Sequence, residues 1–184
     1  MKKKSNLDAP VYWTMFVYDE WKLYMAASSV GLCYLSPQNK QIDELVGWTK
    51  RHFPNSLLIQ DDDKLQRYLN EIIEFFEGKR ADFTLPLDLR GTPFQQDVWY
   101  ALRRIPFGHT KSYSDIAIEI QKPSSVRAVG TAIGANPILI TVPCHRVIGK
   151  NGSLTGYRGG LDMKAKLLQL EKEFAILERS SAHA

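Results

Sequence analysis

The sequence predicts an α+β protein with two domains, a small first domain of strands and helix and a helical second domain that contains a helix-turn-helix. Residues 11–18 and 21–35 are rich in aromatic and β-branched side chains and are separated by a polar break, as in short strands. After residue 90, apolar residues recur at helical spacing between capping and breaking residues. We therefore place one domain at residues 1–88, a second at residues 89–178 and a tail at residues 179–184.

Composition excludes several classes of protein. The chain has 184 residues, 44% hydrophobic and 24% charged, which is ordinary for a globular fold and argues against a disordered or fibrous protein. Its two cysteines, Cys33 and Cys144, lie far apart, and we find no secretory signal. No stretch approaches the roughly 18 apolar residues of a membrane span. We expect a cytoplasmic protein with no membrane partner.

The two halves of the chain differ in charge. Residues 1–90 hold twelve basic and thirteen acidic side chains, whereas residues 91–184 hold twelve and seven, so the positive excess lies in the second half. A basic domain beside a neutral one suggests a polyanionic partner. Solvated surface lysines explain such an imbalance equally well, and charge alone does not decide between them.

One helix is predicted in the first domain, after its strands. Asp61, Asp62 and Asp63 precede an apolar stripe at helical spacing and complement the positive end of the helix dipole. Gly78 is the predicted stop. Residues 79–91 show no periodicity and are predicted to be a linker. The stripe consists of Leu65, Leu69, Ile72, Ile73 and Phe76.

The second domain is predicted to begin with three short helices. Thr92 and Gln95 form a capping box, with Pro93 in the first turn. Ser112 or Ser114 can cap a second helix that runs to Gln121. Ser124 or Ser125 can cap a third over residues 126–135. The last two helices form the helix-turn-helix pattern, in which the second helix approaches DNA.

The second helix of this pair is unusually rich in small residues, and two interpretations remain open. Small side chains let a helix approach DNA closely, but they also let it pack tightly against a neighbouring helix. Glycine lowers helix stability by about 1 kcal/mol relative to alanine, so some gain must offset it. The small residues are Gly130, Ala132, Gly134 and Ala135.

The rest of the chain surrounds Cys144. Residues 138–142 are apolar and are predicted to be a buried extended segment that ends at Pro143. Residues 149–160 contain five glycines and are predicted to be a flexible loop. A last helix is predicted from Leu161 or Asp162. Its predicted buried face consists of Met163, Leu167, Leu170 and Phe174.

Cys144 is the candidate nucleophile. A lone cysteine is usually a small buried hydrophobic residue, but Cys144 lies between a held segment and a flexible loop and precedes His145 and Arg146. A thiol of ordinary pKa needs a base or a positive charge to become a nucleophile, and these two residues are the candidates. In extended chain, neighbouring side chains point to opposite faces, so contact with His145 requires a local turn or a bridging water. Glu171 could fix the histidine tautomer or be a solvated charge.

The residues around Cys144 resemble the active-site signature of the O6-alkylguanine-DNA alkyltransferases, also called methylated-DNA–protein-cysteine methyltransferases. The resemblance covers residues 85–175 and extends loosely into the first domain. The signature is Val142, Pro143, Cys144, His145, Arg146, Val147 and Ile148, and the further matches are Tyr113, Arg127, Asn136, Pro137, Gly156, Tyr157, Gly159 and Gly160.

The resemblance implies a ribonuclease H-like first domain, a winged-helix-like second domain and a single-turnover alkyl transfer. Cys144 would take a methyl or larger alkyl group from the O6 position of guanine, and also from O4-methylthymine. His145 would activate it through a water, with Glu171 behind the histidine. Asn136 would hold the turn near the cysteine, and Tyr113 would give a proton to the departing guanine.

The resemblance also implies how DNA is held. Binding in the minor groove would extrude the damaged nucleotide beside Tyr113, and Arg127 would fill the gap in the stack. Ala128 and Gly130 would belong to the same DNA surface. Backbone groups would read the guanine edge. The pocket residues would be Val147, Tyr157 and Arg158.

Arg158 departs from the family pattern, since that position is often small, and this puts the range of alkyl groups in doubt. We expect no cofactor and no metal, because Cys33 and His52 are too few ligands for the zinc that some relatives bind in the first domain. The expected partner is double-stranded DNA with alkylated guanine or thymine, bound by a monomer. Two rival functions remain: a Cys-His-Glu hydrolase, and a non-catalytic regulator or lesion-binding module.

Overall fold

A computed structural model describes the backbone of residues 8–181 and the side chains of residues 8–176. The predicted residues 1–7 of the first domain and 182–184 of the tail lie outside the described residues. The first domain contains a four-stranded sheet in the order β3-β2-β1-β4. The strands are β1 (Val11–Tyr18), β2 (Trp21–Ala27), β3 (Leu32–Leu35) and β4 (Leu58–Gln60). β1 pairs antiparallel with β2 and parallel with β4, and β2 pairs antiparallel with β3.

Two helices cover the two faces of this sheet. The predicted helix is α2 (Asp62–Phe76), whose N-cap Asp61 accepts from the Lys64 amide, and Gly78 follows it with a φ of 69°. It packs on the face that carries Phe16, Leu23 and Met25. On the other face lies α1 (Ile42–His52), which the sequence did not reveal. Its N-cap, Gln41, makes no side-chain capping bond, so it lacks the start pattern that marks α2.

The predicted linker is irregular but firmly attached to the first domain. The Leu32 amide donates to the Pro86 carbonyl (2.9 Å), and the Asp88 amide donates to the Leu32 carbonyl (2.8 Å). A Cβ at Gly31 would lie 2.3 Å from the Pro86 carbonyl oxygen, so only glycine allows this approach. Residues 86–88 therefore extend the edge of β3.

The second domain is built from four helices and a two-stranded parallel sheet. Helix α3 (Pro93–Arg103) begins with the predicted capping box, and Ser112 caps α4 (Tyr113–Glu119). Helix α5 (Val126–Gly134) follows the predicted turn, although its N-cap Ser125 makes no side-chain bond. Strand β5 (Lys111–Ser112) pairs with β6 (Val147–Ile148), and the chain ends in α6 (Leu161–Ser181).

The prediction of an extended segment over residues 138–142 is wrong. The segment is buried as expected, but it forms a turn in which the Thr141 amide donates to Leu139 and Ile140 has a φ of 70°. Only Ile138 pairs with a strand, through Leu35 of β3. A short apolar run does not distinguish a buried strand from a buried turn, because periodicity needs more residues than the five present. The bridge joins the second domain to the sheet of the first.

The expected class, a sheet domain followed by a helical domain, is confirmed. In the part of the chain that the structure describes, no helix combines the length and apolar character needed to cross a membrane.

Candidate active site

Cys144 begins a 3₁₀ turn (Cys144–Arg146) that follows the buried turn and Pro143. The cysteine is 2% exposed. The turn replaces the extended geometry that would have sent the side chains of Cys144 and His145 to opposite faces. The other cysteine, Cys33, lies inside β3, fully buried, with its thiol donating to the Ala26 carbonyl. Of the two cysteines, Cys144 is therefore the one that lies beside polar and ionisable side chains.

Asn136 fixes the position of the thiol. Its side-chain nitrogen donates to the Val142 carbonyl (2.9 Å) and to the Cys144 sulfur (3.1 Å). Its side-chain oxygen accepts from the Ile138 amide (3.0 Å). Asn136 follows α5 by two residues and is fully buried, so it connects the end of that helix to the sulfur.

His145 and Glu171 form a buried pair. His145 Nε2 lies 2.7 Å from Glu171 Oε1, and neither side chain is more than 1% exposed. Burial lowers the pKa of His145 despite the carboxylate beside it, so the ring is neutral at neutral pH. Burial alone would raise the pKa of Glu171, but its bonds to His145 and Arg146 lower it, so Glu171 stays ionised. The interpretation of Glu171 as a solvated charge is wrong.

This pairing assigns the histidine tautomer. An ionised Glu171 accepts a hydrogen bond, so Nε2 carries the proton and Nδ1 carries the lone pair. Nδ1 is buried and has no hydrogen-bond partner among the described residues. His145 thus has the protonation state of a general base. Its Nδ1 has no partner among the described residues and is available to accept a proton.

Arg146 supports the pair rather than the thiol. Its Nε donates to both oxygens of Glu171 at 3.0 Å, and its Nη1 donates to the Ile105 carbonyl (2.6 Å). Glu171 also accepts from the Gly108 amide (3.0 Å). From the sequence, Arg146 was a candidate for the positive charge that activates the thiol. In the structure, its hydrogen-bond donors bind Glu171 and the Ile105 carbonyl instead.

Lys164 is the functional residue that sequence reasoning missed. It is fully buried, and its ammonium group donates to the carbonyls of Val147 (2.5 Å), Thr155 (2.7 Å) and Gly156 (3.4 Å). These bonds join β6 to the glycine loop. Its charge also lowers the pKa of Cys144. Seven residues separate Lys164 from Glu171, which places both on the buried face of α6, and two such charges on an apolar face are a recognisable pattern.

The resting thiol is protonated. Burial raises the pKa of Cys144 to about 11, although the bond from Asn136 and the charge of Lys164 act in the opposite direction. The thiolate fraction at neutral pH is therefore very small. For the sulfur to attack an electrophile, a base must remove the thiol proton during the reaction. Neutral His145 has the chemical character of such a base.

The remaining predicted pocket residues lie on β6, on the glycine loop and at the start of α4. β5 ends at Ser112, so its pairing with β6 brings Tyr113 close to the loop, where its hydroxyl donates to the Thr155 carbonyl (3.1 Å). The Tyr157 ring lies 6.5 Å from the His145 ring, and its buried hydroxyl has no partner among the described residues. Val147 is fully buried in β6. Arg158 directs Nη2 of its guanidinium towards the first domain, while its Nη1 donates to the Asn136 carbonyl.

The predicted DNA surface is separate from this buried cluster. Arg127 and Ala128 are exposed on α5, and Gly130 is half-buried. A Cβ at Gly130 would come no closer than 3.7 Å to Tyr113, and one at Gly134 would meet nothing within 4 Å. The glycines are thus not needed for tight packing against a neighbour. Close approach of DNA to these glycines stays a prediction.

The described residues include no group of three or more His, Cys, Asp or Glu side chains that could hold a metal ion. The expectations of no metal and no cofactor stay predictions.

Comparisons with known proteins agree with the resemblance. Residues 11–89 match the family model "6-O-methylguanine DNA methyltransferase, ribonuclease-like domain", and residues 93–173 match its "DNA binding domain". The inducible methylated-DNA–protein-cysteine methyltransferase of Bacillus subtilis (strain 168) is 59% identical over 162 residues, which cover 88% of this chain and 90% of the relative. The predicted family and the ribonuclease-like first domain are confirmed.

Two mycobacterial relatives add to this. The methylated-DNA–protein-cysteine methyltransferase of Mycobacterium tuberculosis (strain H37Rv) is 54% identical over 107 residues, which cover 58% of this chain and 65% of the relative. A crystal structure of Mycobacterium tuberculosis OGT in complex with DNA has a TM-score of 0.77 and 39% identity, and the match covers 89% of this chain and 94% of that one.

Proposed function

The chain belongs to the 6-O-methylguanine DNA methyltransferase family, and from that premise we propose how its own residues carry out the reaction. It is a DNA-repair enzyme that binds DNA and transfers an alkyl group to one of its own cysteines. We assign Cys144 as the acceptor and O6-alkylguanine as the substrate, with O4-methylthymine as a second one. The observation that carries the assignment is the hydrogen bond from Asn136 to the Cys144 sulfur, which joins the thiol to the end of α5.

The reaction balances without a cofactor. The Cys144 thiol loses its proton through a bridging water to Nδ1 of His145, and Glu171 stabilises the positive charge on the ring. The sulfur attacks the alkyl carbon, and the bond from that carbon to guanine O6 breaks. Its electron pair stays on guanine, which takes a proton from the Tyr113 hydroxyl. The proton held by His145 then passes to solvent and the Tyr113 oxygen regains one from solvent, so the net transfer is one proton from the thiol to guanine. The products are a thioether on the protein and an unmodified guanine.

The protein acts once because the carbon–sulfur bond of an unactivated thioether resists cleavage and the cluster offers no second nucleophile to attack the alkyl carbon. His145, Glu171 and Lys164 hold protons or charges, and none of them is placed to form a covalent intermediate. We propose that the protein acts as a monomer. We propose a cytoplasmic location, where free thiols stay reduced.

Substrate access requires base flipping. Cys144 is 2% exposed, so its sulfur cannot reach an atom inside a stacked duplex. Exposed Arg127 is placed on α5 to enter the stack as the nucleotide leaves, while the small side chain of Ala128 lets the helix approach the groove. Backbone groups of Val147 and of residues 157–158 would then bind the guanine edge.

The two rival functions agree less well with the site and with the family match. A hydrolase needs an acyl substrate and a water for turnover, and nothing in the family match supports either. A lesion-binding module without chemistry would not need the protonation states that Glu171 and His145 maintain.

We predict that Arg127→Ala slows transfer from duplex DNA by about 10- to 100-fold, since the flipped state loses the group that offsets unstacking. Transfer from the free base O6-benzylguanine, which needs no flipping, should keep its rate. Single-turnover rates with both substrates measure the difference. Arg67→Ala on α2 removes the same charge far from α5 and serves as the matched control. Equal slowing with both substrates would contradict the role of Arg127.

A further inference from the structure

Arg158 connects the glycine loop to the first domain. Its Nη2 donates to the Tyr34 hydroxyl (2.9 Å) and to Oε1 of Glu44 (2.5 Å), and its guanidinium lies 5.3 Å from the centre of the Tyr34 ring. Tyr34 lies in β3 and Glu44 in α1. The Arg158 side chain is only 20% exposed, so this is a partly buried ion pair rather than a surface contact.

The same guanidinium reaches the active site. Nη1 of Arg158 donates to the Asn136 carbonyl (3.0 Å), and the side chain of Asn136 donates to the Cys144 sulfur. A continuous chain of hydrogen bonds thus runs from Glu44 in the first domain to the reacting atom. The first domain contributes no other residue to the chemistry derived above, and this chain of bonds gives it a route to the pocket.

The loop that carries Arg158 needs such an anchor. Gly156 and Gly160 on either side have φ values of 36° and 86°, a region that costs glycine little and leaves the backbone free to change. Lys164 and Tyr113 hold the loop at Thr155 and Gly156, but those bonds precede Tyr157. Beyond Tyr157, the Arg158 side chain ties the loop to Asn136 and α1.

The surroundings leave room for the loop to move when that tie is lost. A cavity of about 320 Å³ opens between the domains beside the ion pair. Glu44, Trp48, Arg90, Ala135 and Arg158 are among the residues that line it. Water in this cavity can therefore solvate the guanidinium once its carboxylate is gone, so that the loop is no longer tied to α1.

We propose that Glu44 and Tyr34 of the first domain are specificity-determining residues, which limit the size of the transferred alkyl group by holding Arg158 and, through it, the pocket wall at Tyr157. The inference rests on the proposed function of Cys144. Arg158 does not narrow the pocket by its own bulk, because its charged end is turned towards the first domain. It acts by fixing the loop, so a small methyl group fits and a benzyl group is disfavoured.

The test compares two duplexes, one with O6-methylguanine and one with O6-benzylguanine, in single-turnover reactions of the full chain. Glu44→Ala should raise the benzyl-to-methyl ratio of rate constants about fivefold. Arg158→Met should raise it at least as much. Combining both substitutions should give the ratio of Arg158→Met alone within about twofold, because they break one connection.

Asp43→Ala is the matched control, since Asp43 is the exposed carboxylate next to Glu44 on α1. It should leave the ratio unchanged. An unchanged ratio in Glu44→Ala would overturn the proposal, and so would effects that multiply in the double variant. A purely structural role for Glu44 would lower both rates together and leave the ratio as it was, which also overturns it. If the wild-type protein gains no alkyl group at Cys144 from either duplex, the proposed function itself fails.

Discussion

Replacing Glu171 by glutamine is expected to slow methyl transfer by about 100- to 1000-fold, the range that general-base catalysis contributes. Glu171 fixes the tautomer of His145 through the 2.7 Å bond to Nε2 and stabilises the ring when it takes the thiol proton. A neutral glutamine can present its amide group to Nε2 and stabilise the wrong tautomer. Because burial raises the pKa of Cys144 to about 11, little thiolate forms at neutral pH unless a base removes the proton.

The pH profile separates this effect from a loss of structure. Glu171 raises the pKa of His145 against the larger lowering by burial, so its replacement moves that pKa further down. Protonation of His145 stops the base from acting, and the fall in rate on acidification should therefore begin at lower pH in Glu171→Gln than in the wild type. Transfer rates measured across pH 5 to 9 test this. An unshifted acidic limb would show that Glu171 does not act through His145.

Stability must be controlled in that experiment. Glu171→Gln leaves the buried guanidinium of Arg146 without its carboxylate, which is expected to cost about 3 to 5 kcal/mol in the free energy of unfolding. Rates should be taken well below the unfolding temperature found by circular dichroism. Glu173→Gln changes an exposed carboxylate on the same helix, which accepts a hydrogen bond from Gln169. It should keep the wild-type rate and stability.

Replacing Lys164 by methionine is expected to slow transfer by about 10- to 100-fold. Methionine fills much of the same volume but donates no hydrogen bond to Val147 or Thr155, and charged hydrogen bonds of this kind contribute about 1.5 to 3 kcal/mol. The Val147 backbone and the glycine loop then lose their common anchor. The pKa of Cys144 should also rise, because the charge of Lys164 lowers it in the wild type.

The measurement is the single-turnover rate with a methylated duplex, alongside the affinity for an undamaged one. Affinity should stay unchanged, because Lys164 is fully buried and presents no charge at the surface. Lys166→Met is the control, since Lys166 lies two residues further on and donates to the exposed Glu20. A normal rate in Lys164→Met, or a loss of rate in both variants, would contradict the anchoring role.

Capping and breaking residues in the sequence predicted the helices whose ends are fixed by those same residues. The cap at Asp61 and the stop at Gly78 define α2, and the capping box of Thr92 and Gln95 defines the start of α3. Helix α1 has no comparable start, and residues 138–142 satisfy their backbone groups in a turn that no periodicity announces. Turns of this kind depend on what surrounds them rather than on their own residues.

The candidate site shows the same division. The residues beside Cys144 were visible in the sequence, and so was Glu171 once the family pattern was noticed. Lys164 was not among the predicted site residues, because its burial depends on carbonyl groups that only the fold brings to it. The partners of Arg158 were equally hidden, since Tyr34 is 124 residues away along the chain. Spacing on one helix predicts which residues share a face, but not what that face meets.

Mass spectrometry of the intact protein, after incubation with excess duplex that contains one O6-methylguanine, tests the central claim most directly. The expected result is a mass gain of one methylene per protein, located on the peptide with Cys144, that reaches a plateau at one equivalent. Cys144→Ala should bind the duplex and gain nothing. An unmodified wild-type protein, a methyl group on Cys33, or repair that continues beyond one equivalent would contradict the account.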